Sequence, residues 1–154
     1  MFINVDLSGL VDEANLLQKT MDIISKNIGN IEKVLSDNKI HTIFSVCIRK
    51  EKLPPLDHDN LEGEEVFWYL SWEPHGASKV WRIFLRSEQK KSIDHSDKSI
   101  SEEFQWVITY KKCFGETPIH LRSLYYGCLN IFVDSFKKYM KEYRISLESN
   151  SDLE

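Results

Sequence analysis

The stretch that decides the fold is "FWYLSWEPHGASKVWRIFLRS", residues 67–87. Aromatic and aliphatic side chains alternate on both sides of its centre, with the period of two that is typical of β-strands. Pro74, His75 and Gly76 lie between the two runs and are residues that favour a turn. Pairing Glu73 with Val80, with residues 74–79 as the loop, gives a β-hairpin with two chemically distinct faces.

The two faces of this hairpin predict different roles. The first face is predicted to be core, and it carries Trp68, Leu70, Trp72, Trp81, Ile83 and Leu85. The second is the candidate binding face, and it carries Phe67, Tyr69, Arg82, Phe84 and Arg86. Arginine beside aromatic rings is enriched at protein interfaces. The same pattern also binds single-stranded nucleic acid, or forms solvated cation–π pairs with no partner.

An N-terminal helix is predicted over residues 10–35 from a regular apolar repeat. The repeat consists of Leu10, Ala14, Leu17, Met21, Ile24, Ile28, Ile31 and Leu35. Its spacing averages about 3.5 residues, the period of a coiled-coil seam, and predicts pairing with a second copy or with a partner helix. Ser8 is the expected N-cap, and Gly29 leaves open a break near Gly29 and Asn30.

The remaining elements complete an α-β-β-β-β-α order. Residues 40–50 alternate as a strand, and residues 103–111 do so too, although Ser99 and Glu102 could form a capping box and make the second segment helical. Thr117 and Pro118 predict the start of one long C-terminal helix. The predicted fold is α+β, a four-stranded antiparallel meander flanked by long N- and C-terminal helices. Residues 1–147 are assigned to a single domain, and residues 148–154 to an acidic tail that frays.

Composition restricts the function classes. The chain has 154 residues, 42% of them apolar, and a formal net charge of −4, as expected of a soluble domain that is not a bulk nucleic-acid binder. It contains no apolar run of the roughly 18 to 20 residues that span a bilayer, and its first residues lack signal-peptide features, so a cytoplasmic location is expected. Cys47, Cys113 and Cys128 form no C-x-x-C motif and predict neither a disulfide framework nor a zinc ribbon.

Two loops combine histidine with carboxylates. One contains Asp57, His58 and Asp59, and the other contains Asp94, His95 and Asp97. In the meander both loops leave the same end of the sheet, and their side chains are suitable ligands for zinc, manganese or iron. Their spacing matches no established metal motif, however, and acidic loops are commonly solvated turns. No cofactor is therefore predicted, and a divalent metal in these loops is kept as a minor hypothesis.

These observations favour a small cytosolic protein-interaction module that does not catalyse a reaction, such as an adaptor, inhibitor, antitoxin or chaperone-like protein. The helical seam predicts a homodimer or a protein partner. No membrane association is expected, because no apolar run is long enough to span a bilayer. The alternative is a single-stranded nucleic-acid binder that uses the aromatic and arginine face. The third hypothesis is a metal-dependent hydrolase that uses the two histidine loops.

Overall fold

A computed structural model of the protein describes residues 4–53, 65–92 and 104–151. Its helices are α1 (Ser8–Asp37), α2 (Ile119–Tyr126) and α3 (Leu129–Ser151), and its strands are β1 (Phe44–Lys52), β2 (Glu65–His75), β3 (Val80–Ser92) and β4 (Phe104–Cys113). The strands form one antiparallel sheet in the order β1-β2-β3-β4, which confirms the predicted α+β meander. Residues 104–111 are strand, so the helical alternative is wrong there.

The central hairpin has a different register from the predicted one. Glu73 lies opposite Arg82 and not Val80, while Val80 pairs with His75. The loop is shorter as a result, with a 3-10 turn over Gly76–Ser78 and left-handed backbone at Gly76 (φ 54°) and Lys79 (φ 57°). Because the shift is two residues, each side chain keeps its predicted face.

Pro74 can extend β2 because strand β1 does not reach it. Pairing between β1 and β2 ends at Phe44, which lies opposite Trp72. On that side of Pro74 no strand requires the N–H group that proline lacks. The strand therefore continues past the proline, and this lengthens the hairpin beyond its predicted ends.

The core lies between one face of the sheet and the three helices. Leu70, Trp72, Ile83 and Leu85 are completely buried, as predicted, and Trp68 and Trp81 pack against them. The helices and the turn before α2 contribute Met21, Ile24, Ile28, Phe114, Tyr125, Leu129, Phe132 and Phe136. The indole N–H of Trp72 donates a hydrogen bond to the carbonyl oxygen of Ile40 (2.7 Å). Ile40 therefore accepts a hydrogen bond from a core side chain and lies before β1, which begins at Phe44 and not at residue 40.

Helix α1 is continuous through Gly29, so the alternative of a break there is wrong. Its cap also differs from the prediction. Leu7 occupies the N-cap position, and the carboxylate of Asp6 accepts hydrogen bonds from the backbone N–H (3.0 Å) and the hydroxyl (2.8 Å) of Ser8. Asp6 thus satisfies a free N–H of the first turn, as an N-cap side chain normally does.

The predicted C-terminal helix is two helices. They are separated at Gly127 and Cys128. A glycine inside a helix lowers its stability by about 1 kcal/mol. The backbone N–H of Cys128 donates a hydrogen bond to the carbonyl oxygen of Tyr125, three residues earlier. Thr117 does not cap α2, because its hydroxyl donates to the Phe114 carbonyl oxygen (2.7 Å). Helix α3 includes residues 148–151 of the segment that was expected to fray.

Both edge strands contain a β-bulge. In β1 the register changes between Cys47 and Arg49, so Ile48 is an extra residue. In β4, Tyr110 lies opposite Ser87 and Ile108 lies opposite Glu88, so Thr109 is the extra residue. Such insertions interrupt the ladder and increase the local twist.

Within the described ranges, none of the helices combines the length and the apolarity needed to cross a membrane.

Candidate functional site

The predicted seam of α1 divides into a covered half and an uncovered half. Met21, Ile24 and Ile28 are buried in the core, and Ile31 and Leu35 pack against it. All residues from 4 to 20 are exposed, including Leu10 (66% exposed) and Leu17 (55%). Helix α1 therefore continues for about 20 Å beyond its last core residue, at 1.5 Å per residue. We call Leu10, Ala14 and Leu17, which continue the line of buried residues, the α1 stripe.

Helix α3 shows the same behaviour at its other end. Phe136 is buried and Met140 is half-buried, but all residues from 141 to 150 are exposed. Tyr143 and Leu147 continue the buried line at helical spacing, and the Tyr143 ring stacks on Tyr139 with their centroids 6.5 Å apart. We call Tyr139, Tyr143 and Leu147 the α3 stripe. The fold thus leaves two apolar helix faces uncovered by the described part of the chain.

The sheet face opposite the helices carries four of the five predicted binding residues. Among the described residues, cations lie over aromatic rings there: Lys50 over Phe67 (5.4 Å to the centroid), Arg86 over Tyr69 (4.9 Å) and Lys111 over Phe84 (5.0 Å). The same cations have anionic neighbours. Arg86 forms ion pairs with Glu73 (3.7 Å) and Glu88 (3.3 Å), and Lys111 forms an ion pair with Glu73.

The positive charges on this open face are therefore largely compensated. Glu73 is only 13% exposed, and it also accepts a hydrogen bond from the Ser71 hydroxyl (3.0 Å). An incoming phosphate would have to compete with this half-buried carboxylate for Arg86 and Lys111. The exposed apolar part of the face includes Trp106 (43% exposed), whose ring centroid lies 4.7 Å from that of Phe67, and Ile108 (54% exposed), which lies opposite Glu88.

Arg82, the fifth predicted residue, is engaged at the edge of the sheet. Strand β4 ends at Cys113, opposite Phe84, so β3 has no strand neighbour on that side at Ile83. Glu32 of α1 fills this position, and its Oε2 accepts hydrogen bonds from Arg82 Nε (2.7 Å) and from the Ile83 backbone N–H (2.9 Å). Burial opposes the charge of Arg82, but the hydrogen bond and the charge of Glu32 outweigh burial and raise its pKa above the ordinary value.

Glu32 is the residue that sequence reasoning missed. It is 9% exposed and lies four residues after Ile28, on the covered side of α1. Its position was the available signal, because a carboxylate beside an apolar seam requires a cation or N–H donors when it is buried. The sequence contained no indication that Arg82 would supply that cation.

An aromatic cluster under α2 contains two polar atoms without partners. The Trp68 ring lies 5.8 Å from that of Tyr110 and 5.3 Å from that of Tyr125. Within the described ranges, the buried Trp68 indole nitrogen and Tyr110 hydroxyl have no hydrogen-bond partner. A buried unpaired polar group costs about 1 to 3 kcal/mol.

We therefore expect the Tyr110→Phe substitution to raise the free energy of unfolding by about 1 kcal/mol at pH 7, because it removes an unpaired hydroxyl and keeps the ring. Urea denaturation followed by tryptophan fluorescence measures this change. Burial also raises the pKa of Tyr110. Because the phenol ionises more readily in the unfolded chain, the free energy of unfolding of the wild type should fall as the pH rises above about 10 towards the folded-state pKa, and that of the variant should not. A destabilised variant at pH 7 would mean that the hydroxyl has a partner.

A cleft of about 360 Å³ lies between α1 and the junction of α2 with α3. Its lining consists of Asn27, Asn30, Ile31, Tyr126, Gly127, Leu129 and Asn130. The Asn27 amide donates to the Tyr126 hydroxyl (2.7 Å). The lining offers amide and phenol groups that can form hydrogen bonds, and it has no carboxylate, imidazole or thiol for acid–base or nucleophilic chemistry.

The comparisons with known proteins return nothing. No family model, curated protein or solved structure matches the chain. Indications of function therefore come from the surfaces of the chain itself.

The predicted metal ligands Asp57, His58, Asp59, Asp94, His95 and Asp97 lie outside the described residues. Among the residues that are described, no group of three or more histidine, cysteine or carboxylate side chains could hold a metal ion. The three cysteines are unbonded, and burial is the main factor that raises the pKa of the Cys113 thiol.

Proposed function

We propose that this protein is a small protein-interaction module that binds through the α1 stripe, without catalysis and in the cytoplasm. The observation that carries the proposal is the exposure of Leu10 and Leu17 on a helix whose other half is anchored in the core. Apolar residues on the surface of a monomer are ordinarily scattered, and a stripe that continues a buried face is typical of a binding site. An adaptor, inhibitor, antitoxin or chaperone-like protein would present such a surface.

The stability expected of the uncovered half of α1 supports the same proposal. An isolated helix of about 13 residues is marginal in water, and the uncovered half of α1 also contains Gly9. A partner that covers Leu10 and Leu17 would remove apolar surface from water at about 25 cal/mol per Å². Contact with a partner therefore stabilises both the helix and the complex.

Site-specific photocrosslinking in the cells that produce the protein tests this proposal. With benzoylphenylalanine at Leu17, we expect a discrete adduct of higher mass after irradiation. Lys19 is the matched control, because it lies two residues further along α1 and on the opposite side of the helix. An adduct pattern that is the same at both positions, or no adduct at Leu17, would refute binding through the stripe.

The nucleic-acid hypothesis is the weaker proposal. The cation–aromatic pairs of the open face favour it, because bases stack on such platforms. Glu73 and Glu88 oppose it, because they already neutralise Arg86 and would repel phosphates. The metal-dependent hydrolase ranks third, since all its candidate ligands lie outside the described residues.

A further inference from the structure

We infer that the partner of the α1 stripe is a second copy of this chain, which covers it with its α3 stripe. This inference rests on the proposed function and adds the identity of the partner. In a two-fold symmetric dimer, each copy would contribute its α1 to one contact and its α3 to the other. Each uncovered helix face would then be buried against the other.

Apolar geometry is the first argument. Both stripes repeat at steps of three and four residues and run on from buried positions, Met21 in α1 and Phe136 in α3. Small Ala14 lies at the middle of one stripe, and bulky Tyr139 and Tyr143 form the other. A small residue leaves room for large rings on a facing helix, so that the side chains of the two stripes can interlock.

Charge is the second argument, and it distinguishes this pairing from the pairing of α1 with itself. The exposed residues 4–20 carry three carboxylates and one lysine, a net charge of −2. The part of α3 beyond its last buried residue Phe136, residues 137–150, carries Lys137, Lys138, Lys141 and Arg144 against Glu142 and Glu148, a net charge of +2. Two α1 segments would repel each other, whereas α1 and α3 attract.

The positions of individual charges sharpen this argument. Glu13 directly precedes Ala14 and lies on the border of the α1 stripe, while Asp12 lies on the far side of the helix. On α3, Arg144 is the basic residue nearest to the stripe, about 100° around the helix from its centre, whereas Lys141 lies on the far side, about 160° from it. Arg144 also forms an ion pair with Glu148 of its own helix (2.9 Å). In the proposed dimer, Glu13 of one copy faces Arg144 of the other.

Light scattering behind a sizing column tests the dimer with the purified full-length chain. We expect twice the chain mass of 18.1 kDa at micromolar concentration. The Arg144→Glu and Glu13→Lys substitutions should each raise the dissociation constant about tenfold, since each replaces attraction by repulsion in two symmetric contacts. The variant with both substitutions should recover most of the affinity.

Neighbouring positions provide controls with the same change in net charge. Lys141→Glu and Asp12→Lys should leave the dissociation constant within about twofold, because both side chains lie on the far sides of their helices. Circular dichroism checks that every variant is folded. Equal weakening by Arg144→Glu and Lys141→Glu, or failure of the double variant to recover, overturns the pairing of α1 with α3.

A monomer of 18.1 kDa throughout the micromolar range overturns the inference entirely. The proposed function would survive that result if the crosslink at Leu17 persisted in cells, because the partner would then be another protein. Loss of both the dimer and the crosslink would end both proposals.

Discussion

Replacing Glu32 by alanine should lower the free energy of unfolding by about 3 kcal/mol, because it leaves the Arg82 guanidinium and the Ile83 N–H without their shared acceptor. Removal of one partner from a buried ion pair costs about 3 to 5 kcal/mol. We expect the lower end of that range, because the Arg82 side chain is 27% exposed and water can solvate part of its charge. Chemical denaturation at neutral pH measures the change.

Glu116 provides the matched control for this experiment. Its carboxylate also lies near Arg82, at 3.6 Å, but its side chain is 65% exposed. The Glu116→Ala substitution should therefore cost less than about 0.5 kcal/mol. In a double-mutant cycle, the Arg82→Ala change should cost less in the Glu32→Ala background than in the wild type. A loss below about 1 kcal/mol for Glu32→Ala would show that the carboxylate does not connect α1 to the sheet.

Replacing Trp72 by alanine should cost about 4 kcal/mol, which is a large part of the stability of a domain of this size. Trp72 is completely buried between the sheet and the helices, and its indole N–H bonds the Ile40 carbonyl. The substitution leaves a cavity and an unpaired carbonyl oxygen. Thermal and urea denaturation should both detect the loss.

The fourth tryptophan of the chain supplies the control. Trp106 lies on the open face and is 43% exposed, so Trp106→Ala should cost less than about 1.5 kcal/mol. Comparable losses for the two variants would mean that the open face is covered in solution as thoroughly as the helix face. That result would favour the open face of the sheet, and not the helices, as the binding surface.

The sequence predicted the hairpin faces, the strand order and the helical seam because each depends on a local period. The alternation around residues 67–87 survives a register error of two residues, which explains why the faces are right although Glu73 does not face Val80. The ends of helices and strands, and the breaks within helices, depend on smaller differences in free energy. The separation of α2 from α3 at Gly127 involves about 1 kcal/mol, and nothing in the helical period of the flanking residues indicates it.

The candidate site was predictable only in part, because its features depend on which element covers which. The seam residues are correctly placed on one side of α1, but the sequence does not specify where the sheet ends beneath them. Leu17 and Met21 are both part of the repeat, yet one is 55% exposed and the other 2%. The role of Glu32 depends on β4 ending before it reaches the position opposite Ile83. This is a property of the tertiary structure that no local sequence pattern indicates.

The bulges at Ile48 and Thr109 bear on how this protein avoids uncontrolled polymerisation. An open sheet has two edges whose free backbone groups can recruit strands from other molecules into fibres. Here each edge strand is interrupted by a bulge and carries lysines, Lys50 and Lys52 on β1 and Lys111 and Lys112 on β4. Twist and repulsion at both edges disfavour endless strand addition. The helix contacts proposed above are not open to such growth, because two copies that pair with two-fold symmetry close on themselves.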